Sequence, residues 1–465
     1  MKLFLAAGAL VLMLLVSGMV AAALPESGTN MPNCIEINDD FSRIEHLMAS
    51  GELRTANKVL SGQEFSFSYD KQQPYRQYLD YATNRIKSRN PQASRLCPIV
   101  TPVIEILTKQ NDWTAITTVG DLIAPFELRR ADHAKGILLI HGLTDSPYVF
   151  HELAAYFYQQ GFNVRTLLIP GHGTAASDLI DVELEQWQQA ASYAIERAMI
   201  DFDQVYLGGF STGGTLILDY FMTHKLANNK VAGVFLWSPA LKAKSNFAWL
   251  AKYVDYIPFV DWLAKEADID FAKYESFPFN AAAQVNTLME RVVRESTVPD
   301  RIIADIPLFV VASEHDQTIA TEATLALMRA WHDPVIKKHT GLDTIIYYGD
   351  PDRVNAYLPS TVNIIVPSCA KGELCQSVYD IAHTAPTNSP ANAHYGVNGK
   401  YRNCSHYLTD MDKFSACKQA REVIVGERTE QNLNRNKVLK RLTYNPFFDE
   451  MLAEINKFLA KTSTP

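Results

Sequence analysis

Five short runs, "KGILLIHG", "FNVRTLLIPG", "QVYLGGFS", "VAGVFLWSP" and "IPLFVVASEHD", restrict what this chain can fold into more than any other feature. Each is apolar and rich in β-branched residues, and each stops at Gly, Pro or a polar residue. Such runs read as strands buried on both faces, which is the pattern of a parallel sheet. Stretches such as "YVFHELAAYFYQQG" and "LEQWQQAASYAIERAM" lie between them, with apolar residues recurring at three and four, the helical spacing. Repeated βα units predict an α/β chain: a doubly wound, mostly parallel sheet with helices on both faces. Ligands then belong at the C-terminal ends of the strands.

At one such end stands "YLGGFSTGGTLILDY". Glycine weakens the interior of a strand or a helix, so this cluster needs a reason. Gly209-Phe210-Ser211-Thr212-Gly213 is a G-x-S-x-G between a strand and a helix, where small residues let the chain reverse and Ser211 project its hydroxyl. The motif alone is weak and also fits a tight turn; its position gives it weight. A serine hydroxyl attacks only when a base takes its proton and an acid orients that base.

The order expected on such a sheet is Ser, then Asp or Glu, then His. Asp316, in the polar loop after "IPLFVVAS", is the candidate acid, with Glu314 the alternative and a helix cap the structural reading. Five histidines follow. His332 and His339 read as surface or cap residues. His383, after an apolar stretch and before a Pro-rich loop, is the candidate base, with His394 the runner-up and His406 behind it. Two backbone N–H groups would hold a developing oxyanion: Thr212, after the nucleophile, and Leu143, in "LLIHGLTDSPYVF".

Taken together, "HGLTDSP", "LLIPGHGTAASDL" with "WQQA" beyond it, "GFSTGG" and "VVASEHDQTI" resemble the monoacylglycerol-lipase and serine-aminopeptidase-like branch of the α/β-hydrolases. The resemblance covers roughly residues 126 to 320. It implies an α/β-hydrolase fold and a serine hydrolase cleaving carboxylic esters through Ser211, Asp316 and His383, with Leu143 and Thr212 as oxyanion donors. It implies no cofactor and no metal, and makes His172 of "PGHG" a structural loop residue. A serine aminopeptidase-like activity, or a non-catalytic binding protein keeping the fold, are the alternatives. Two departures stand out: Asp145 occupies a position where the family commonly has Gly, and 67 residues separate Asp316 from His383 (383 − 316). In that interval "DTIIYYG" and "VNIIVPS" compete for the last core strand, and a Cys-bearing insertion is expected at about 340–380.

Between Ser238 and Ile306, a segment at about 240–300 is expected to form a helical lid. Phe247, Trp249, Leu250, Tyr253, Tyr256, Ile257, Phe259 and Trp262 would line an acyl pocket or form the lid's own core, and would allow peripheral membrane contact. Asp255, Asp261, Glu266, Asp268 and Asp270 read as a solvated face, or as a grip for a substrate ammonium. Residues 24–125 read as a mostly helical N-terminal extension, and 126–465 as the α/β domain.

The first residues, "MKLFLAAGALVLMLLVSGMVAAALPES", resemble a cleavable secretory signal ending near Ala23, with an N-terminal membrane anchor as the alternative. A secreted or periplasmic destination suits the six cysteines, which proximity pairs as Cys34–Cys97, Cys369–Cys375 and Cys404–Cys417. No Cys-x-x-Cys pair suggests zinc. A net charge of −8 argues against nucleic acid, leaving a small-molecule or lipid ester as the expected partner.

Overall fold

Parallel strands need connections long enough to cross the sheet, and each apolar run identified above is followed by such a connection. A computed structural model describes residues 32–39, 41–50, 65–111, 117–224, 230–245, 261–264, 269–296, 306–332, 341–419 and 423–462. The sequence-predicted signal segment therefore lies outside the described residues.

The chain enters through helices α1 (Glu36–Asp39), α2 (Phe41–Ser50), α3 (Tyr75–Arg89), α4 (Pro102–Asn111) and α5 (Val119–Ile123). Strands β1 (Glu127–Leu128) and β2 (Lys135–Ile140) follow, then α6 (His151–Gln159), β3 (Asn163–Leu167), α7 (Leu184–Asp201), β4 (Gln204–Phe210), α8 (Thr212–Thr223) and β5 (Val231–Trp237). A short hairpin, β6 (Trp262–Ala264) and β7 (Phe277–Pro278), leads into α9 (Phe279–Ser296). Strand β8 (Leu308–Ser313), α10 (Thr321–Trp331), β9 (Thr344–Tyr348), α11 (Pro351–Tyr357) and β10 (Asn363–Ile365) complete the sheet. The C-terminal region holds α12 (Met411–Lys418), β11 (Ile424–Gly426), α13 (Glu430–Leu433), β12 (Leu439–Arg441) and α14 (Phe448–Thr462).

The eight-stranded sheet runs β1-β3-β2-β4-β5-β8-β9-β10, and β1 alone pairs antiparallel. The two candidate runs for the last core strand are both strands: β9 is inside and β10 is the edge. Alternate side chains of each strand serve opposite faces. Leu138 and Ile140 of β2 therefore join a core with α7 and α8, while Ile137 and Leu139 join a second core with α6 and α14. Phe458 of α14 packs on Phe235 of β5 and Phe309 of β8, with ring centroids 5.3 and 5.6 Å apart.

The N-terminal helices are built into the same unit as the sheet, from Asn33 to Pro465. Tyr75, Tyr78, Ala82 and Ile86 of α3 are buried in the first core. The Tyr75 hydroxyl donates to the Thr166 carbonyl, and the Tyr78 hydroxyl accepts from the Leu168 N–H at 2.8 Å. Arg85 and Arg89 pair with Asp178, and the Asn90 amide donates to the Gly173 carbonyl. The extension thus braces the loop that carries "PGHG". Three disulfides join Cys34–Cys97, Cys369–Cys375 and Cys404–Cys417, the pairs that proximity suggests.

Candidate active site

Ser211 sits at φ 50°, ψ −117°, between the last residue of β4 and the first of α8. That backbone is rare for a side-chain-bearing residue and is tolerated because its neighbours are small. A Cβ on Gly209 would lie 2.3 Å from the Gly214 nitrogen, and one on Gly213 would lie 2.0 Å from the Ile140 carbonyl oxygen. The glycines let α8 start immediately against β2 and β4, so Ser211 stands over the strand ends.

Asp316 follows β8 and His383 lies in the loop before the C-terminal region. The Ser211 hydroxyl is 3.0 Å from His383 Nε2, and His383 Nδ1 is 2.7 Å from Asp316 Oδ2. With Nδ1–H donating to the carboxylate, a neutral ring offers Nε2 as an acceptor to the serine. All three side chains are buried. The other Asp316 oxygen accepts from the N–H groups of Thr318 and Ile319, so the carboxylate closes its own loop; α10 begins later, after Ala320. Glu314 instead binds Arg353 and the Asp350 N–H.

The remaining histidines take other partners. His332, expected as a surface or cap residue, is the C-cap of α10 but not at the surface: its ring is buried between Asp343 and Thr361. His394 binds Asp270, and His406 donates to the Leu439 carbonyl. His339 lies outside the described residues.

Leu143 and Thr212 both line the cavity beside Ser211. Two buried neutral histidines fix the Leu143 loop. His141 donates from Nδ1 to the Gly142 carbonyl and accepts the Ile169 N–H at Nε2. His172 accepts the Thr144 N–H at 3.0 Å. Burial lowers His172 to about 4, which leaves Nε2 free of a proton and able to accept. The loop residue of "PGHG" is thus a prop for the strand-end turn, in which Thr144 adopts φ 68°.

No motif or spacing announces the ion pair behind the site. Glu427, just after β11, accepts the His383 N–H at 3.1 Å and the Gln317 N–H at 3.4 Å, while Arg441 of β12 holds both its oxygens. Burial alone would raise the Glu427 carboxyl; the Arg441 charge and hydrogen bonds outweigh this and bring it down to about 2. Arg441 also donates to the Thr318 hydroxyl, so one buried pair ties the Asp316 loop to the His383 loop.

A cavity of about 630 Å³ opens over Ser211 and His383. Leu143, Leu263, Phe277, Val285, Met289 and Ile319 give it an apolar wall. Val285 and Met289 come from α9, so the second half of the expected lid is a long helix packed against α8. Of the aromatic residues expected there, Trp262 lies in β6, while Phe247, Trp249, Leu250, Tyr253, Tyr256, Ile257 and Phe259 lie outside the described residues. So do Asp255, Glu266 and Asp268; Asp261 is exposed. Asp270 corrects the expected solvated face: it is buried, accepting from His394 Nε2 and the Tyr395 hydroxyl.

A family model described as the alpha/beta hydrolase fold matches residues 136–290, from β2 into α9. The fold is that of an α/β-hydrolase. The chain is 24% identical over 183 residues to a thermostable monoacylglycerol lipase of Bacillus sp. (strain H-257), covering 39% of this chain and 70% of that protein. It is 24% identical over 204 residues to a carboxylesterase of Bacillus subtilis (strain 168), covering 43% and 78%. A solved structure of a Paleococcus ferrophilus monoacylglycerol lipase is 20% identical, covers 48% of this chain and 87% of that one, and superposes with a TM-score of 0.38. The two Bacillus relatives agree with the branch that the motifs resemble.

Proposed function

We propose that this hydrolase cleaves carboxylic esters of short or medium acyl chains through an acyl-enzyme on Ser211. The observation that carries the reading is the unbroken run of hydrogen bonds from the Ser211 hydroxyl through His383 to Asp316. The names of the two Bacillus relatives, a lipase and an esterase, support the choice of bond.

In this reading His383 takes the Ser211 proton as the oxygen attacks the ester carbonyl, and Asp316 stabilises the imidazolium that forms. The N–H groups of Leu143 and Thr212 receive the oxyanion, a contact worth about 2.7–4 kcal/mol per donor. His383 then gives its proton to the departing alcohol, and water activated by the same ring releases the acid. The apolar wall takes the acyl chain, and the exposed Leu263 beside it offers a point of contact with a lipid surface. Nothing in these steps calls on a metal or cofactor.

The N-terminal 23 residues act as a cleaved export signal in the same proposal, removing Lys2 and taking the net charge from −8 to −9 (−8 − 1). Three disulfides support an oxidising destination, and among the described residues no helix is long and apolar enough to cross a membrane.

Ser211→Ala is expected to lower kcat on p-nitrophenyl butyrate on the order of 10⁶-fold. A fluorophosphonate should label the wild-type chain at Ser211 and leave the variant unlabelled. Undiminished turnover by the variant rejects the mechanism, and faster turnover of an amino-acid arylamide than of the ester replaces it with a peptidase.

A further inference from the structure

One group beside the nucleophile is left over by this mechanism. Asp145 follows the Leu143 loop, retains 8% of its exposure and lines both the large cavity and a small recess of about 40 Å³. An ideal Cβ placed on Gly142 would lie 2.8 Å from Asp145 Oδ2 and 3.1 Å from the Ser211 Cβ, so the carboxylate stands close to the reacting hydroxyl. No side chain or backbone N–H among the described residues donates to it. Desolvation raises its pKa to about 6, so the carboxylate is charged at neutral pH at a cost to the fold.

Lys273 faces the same wall. The Tyr274 N–H donates to the Thr144 carbonyl at 2.8 Å, and the Ser146 hydroxyl donates to the Ala272 carbonyl at 2.6 Å. These two bonds flank Asp145 on one strand of chain and Lys273 on the other, holding the two residues in register. Lys273 lines both cavities and forms no ion pair among the described residues. Its charge nonetheless acts on Asp145, so the two groups share one space without closing it.

Resting on the ester-hydrolase reading, we propose that Asp145 and Lys273 are the specificity-determining pair of this site and select esters carrying a hydroxyl near the scissile carbonyl. A hydroxyl donates one hydrogen bond and accepts others, which matches an acceptor facing a donor. An ammonium would satisfy Asp145 alone, and would meet Lys273, Arg428 and Arg441 around the same cavity. A purely aliphatic ester leaves the carboxylate unsolvated and without a partner, the situation that lets a polar site reject an analogue lacking the group.

The test compares kcat/KM for propyl butyrate, propyl 3-hydroxybutyrate, 2,3-dihydroxypropyl butyrate and propyl 3-aminobutyrate. The wild-type protein should favour at least one hydroxylated ester over propyl butyrate by about tenfold or more, and which one shows whether the acyl or the alcohol side meets the pair. Asp145→Leu and Lys273→Met should each bring that ratio close to one, chiefly through KM. Asp145→Leu should also raise Tm at pH 8, where a structural role for the carboxylate would lower it. The pair is overturned if no hydroxylated ester is favoured, if the preference survives both substitutions, or if the amino ester is the best substrate. Should Asp145→Leu not fold, Lys273→Met alone decides. Propyl butyrate hydrolysis that depends on Ser211 separates failure of this pair from failure of the esterase reading.

Discussion

At the scale of single residues, the bend at Ser211 is set by what its neighbours lack. Adding one methyl at Gly213 brings a carbon to 2.0 Å from the Ile140 oxygen and 2.6 Å from that of His141, both main-chain atoms of the strand-end segment. Neither can move without opening the β2–β4 pairing, where Ile140 stands opposite Gly209. Gly213→Ala is therefore expected to cost about 3 kcal/mol or more, read as a lower urea midpoint, and to remove activity with it. This position was legible in the sequence because glycine has few other uses where a strand meets a helix. Asp270 was not legible: a carboxylate in a run of acids looks solvated, and only the fold brings His394 and Tyr395 to it from 124 and 125 residues away.

At the scale of elements, the parallel strands were readable because a strand covered on both faces must be largely apolar, as β8 is from Leu308 to Ala312 before it ends at Ser313. The 67 residues between Asp316 and His383 blurred the reading, since β9, α11, β10 and the Cys369–Cys375 loop all lie between them. His383 was still recoverable from its place at the end of an apolar stretch. Its support was not, because β11 and β12 have three residues each, too few for any periodicity. Yet these strands carry the charges that hold the imidazole loop. Glu427→Gln leaves Arg441 buried without its counter-charge and should cost about 3–5 kcal/mol in thermal unfolding. The apolar double replacement Glu427→Leu with Arg441→Met should recover part of that stability. Neither variant should recover kcat, since the His383 N–H loses its charged acceptor; recovery of both would reduce the pair to packing.

At the scale of the whole molecule, buried histidines decide how the fold meets acid. Burial drives His151 down to about 3 and His172 and His406 to about 4, and holds His141 well below the usual histidine range. From about pH 6.5 down to 4 the unfolded chain takes up protons on these four rings that the folded chain refuses, so stability falls as pH falls. Burial works the other way for Asp145 and Glu152, raised to about 6 and about 7, which keep protons in the fold that the unfolded chain releases. At pH 5 the four rings, whose ordinary value lies well above that pH, outweigh the carboxyls that burial raises (Asp145, Glu152, Asp219 and Glu450), and Tm should be lower there than at pH 7. An unchanged or higher Tm at pH 5 would contradict this balance.

The brace formed by α3 bears on where the protein can be cut. The segment matched by the family model begins at residue 136, which invites an expression boundary just upstream of the sheet. A chain started there loses the Tyr75 and Tyr78 hydroxyls that bond the Thr166 carbonyl and the Leu168 N–H just ahead of "PGHG", and with them the Cys34–Cys97 link. It also uncovers the aromatic surface on which Tyr193 of α7 now rests against Phe67 and Tyr78. Such a truncated product should accumulate as aggregate, while one beginning at Asn33 should stay in the supernatant; for biotechnology, the smallest usable chain is far longer than its recognisable third.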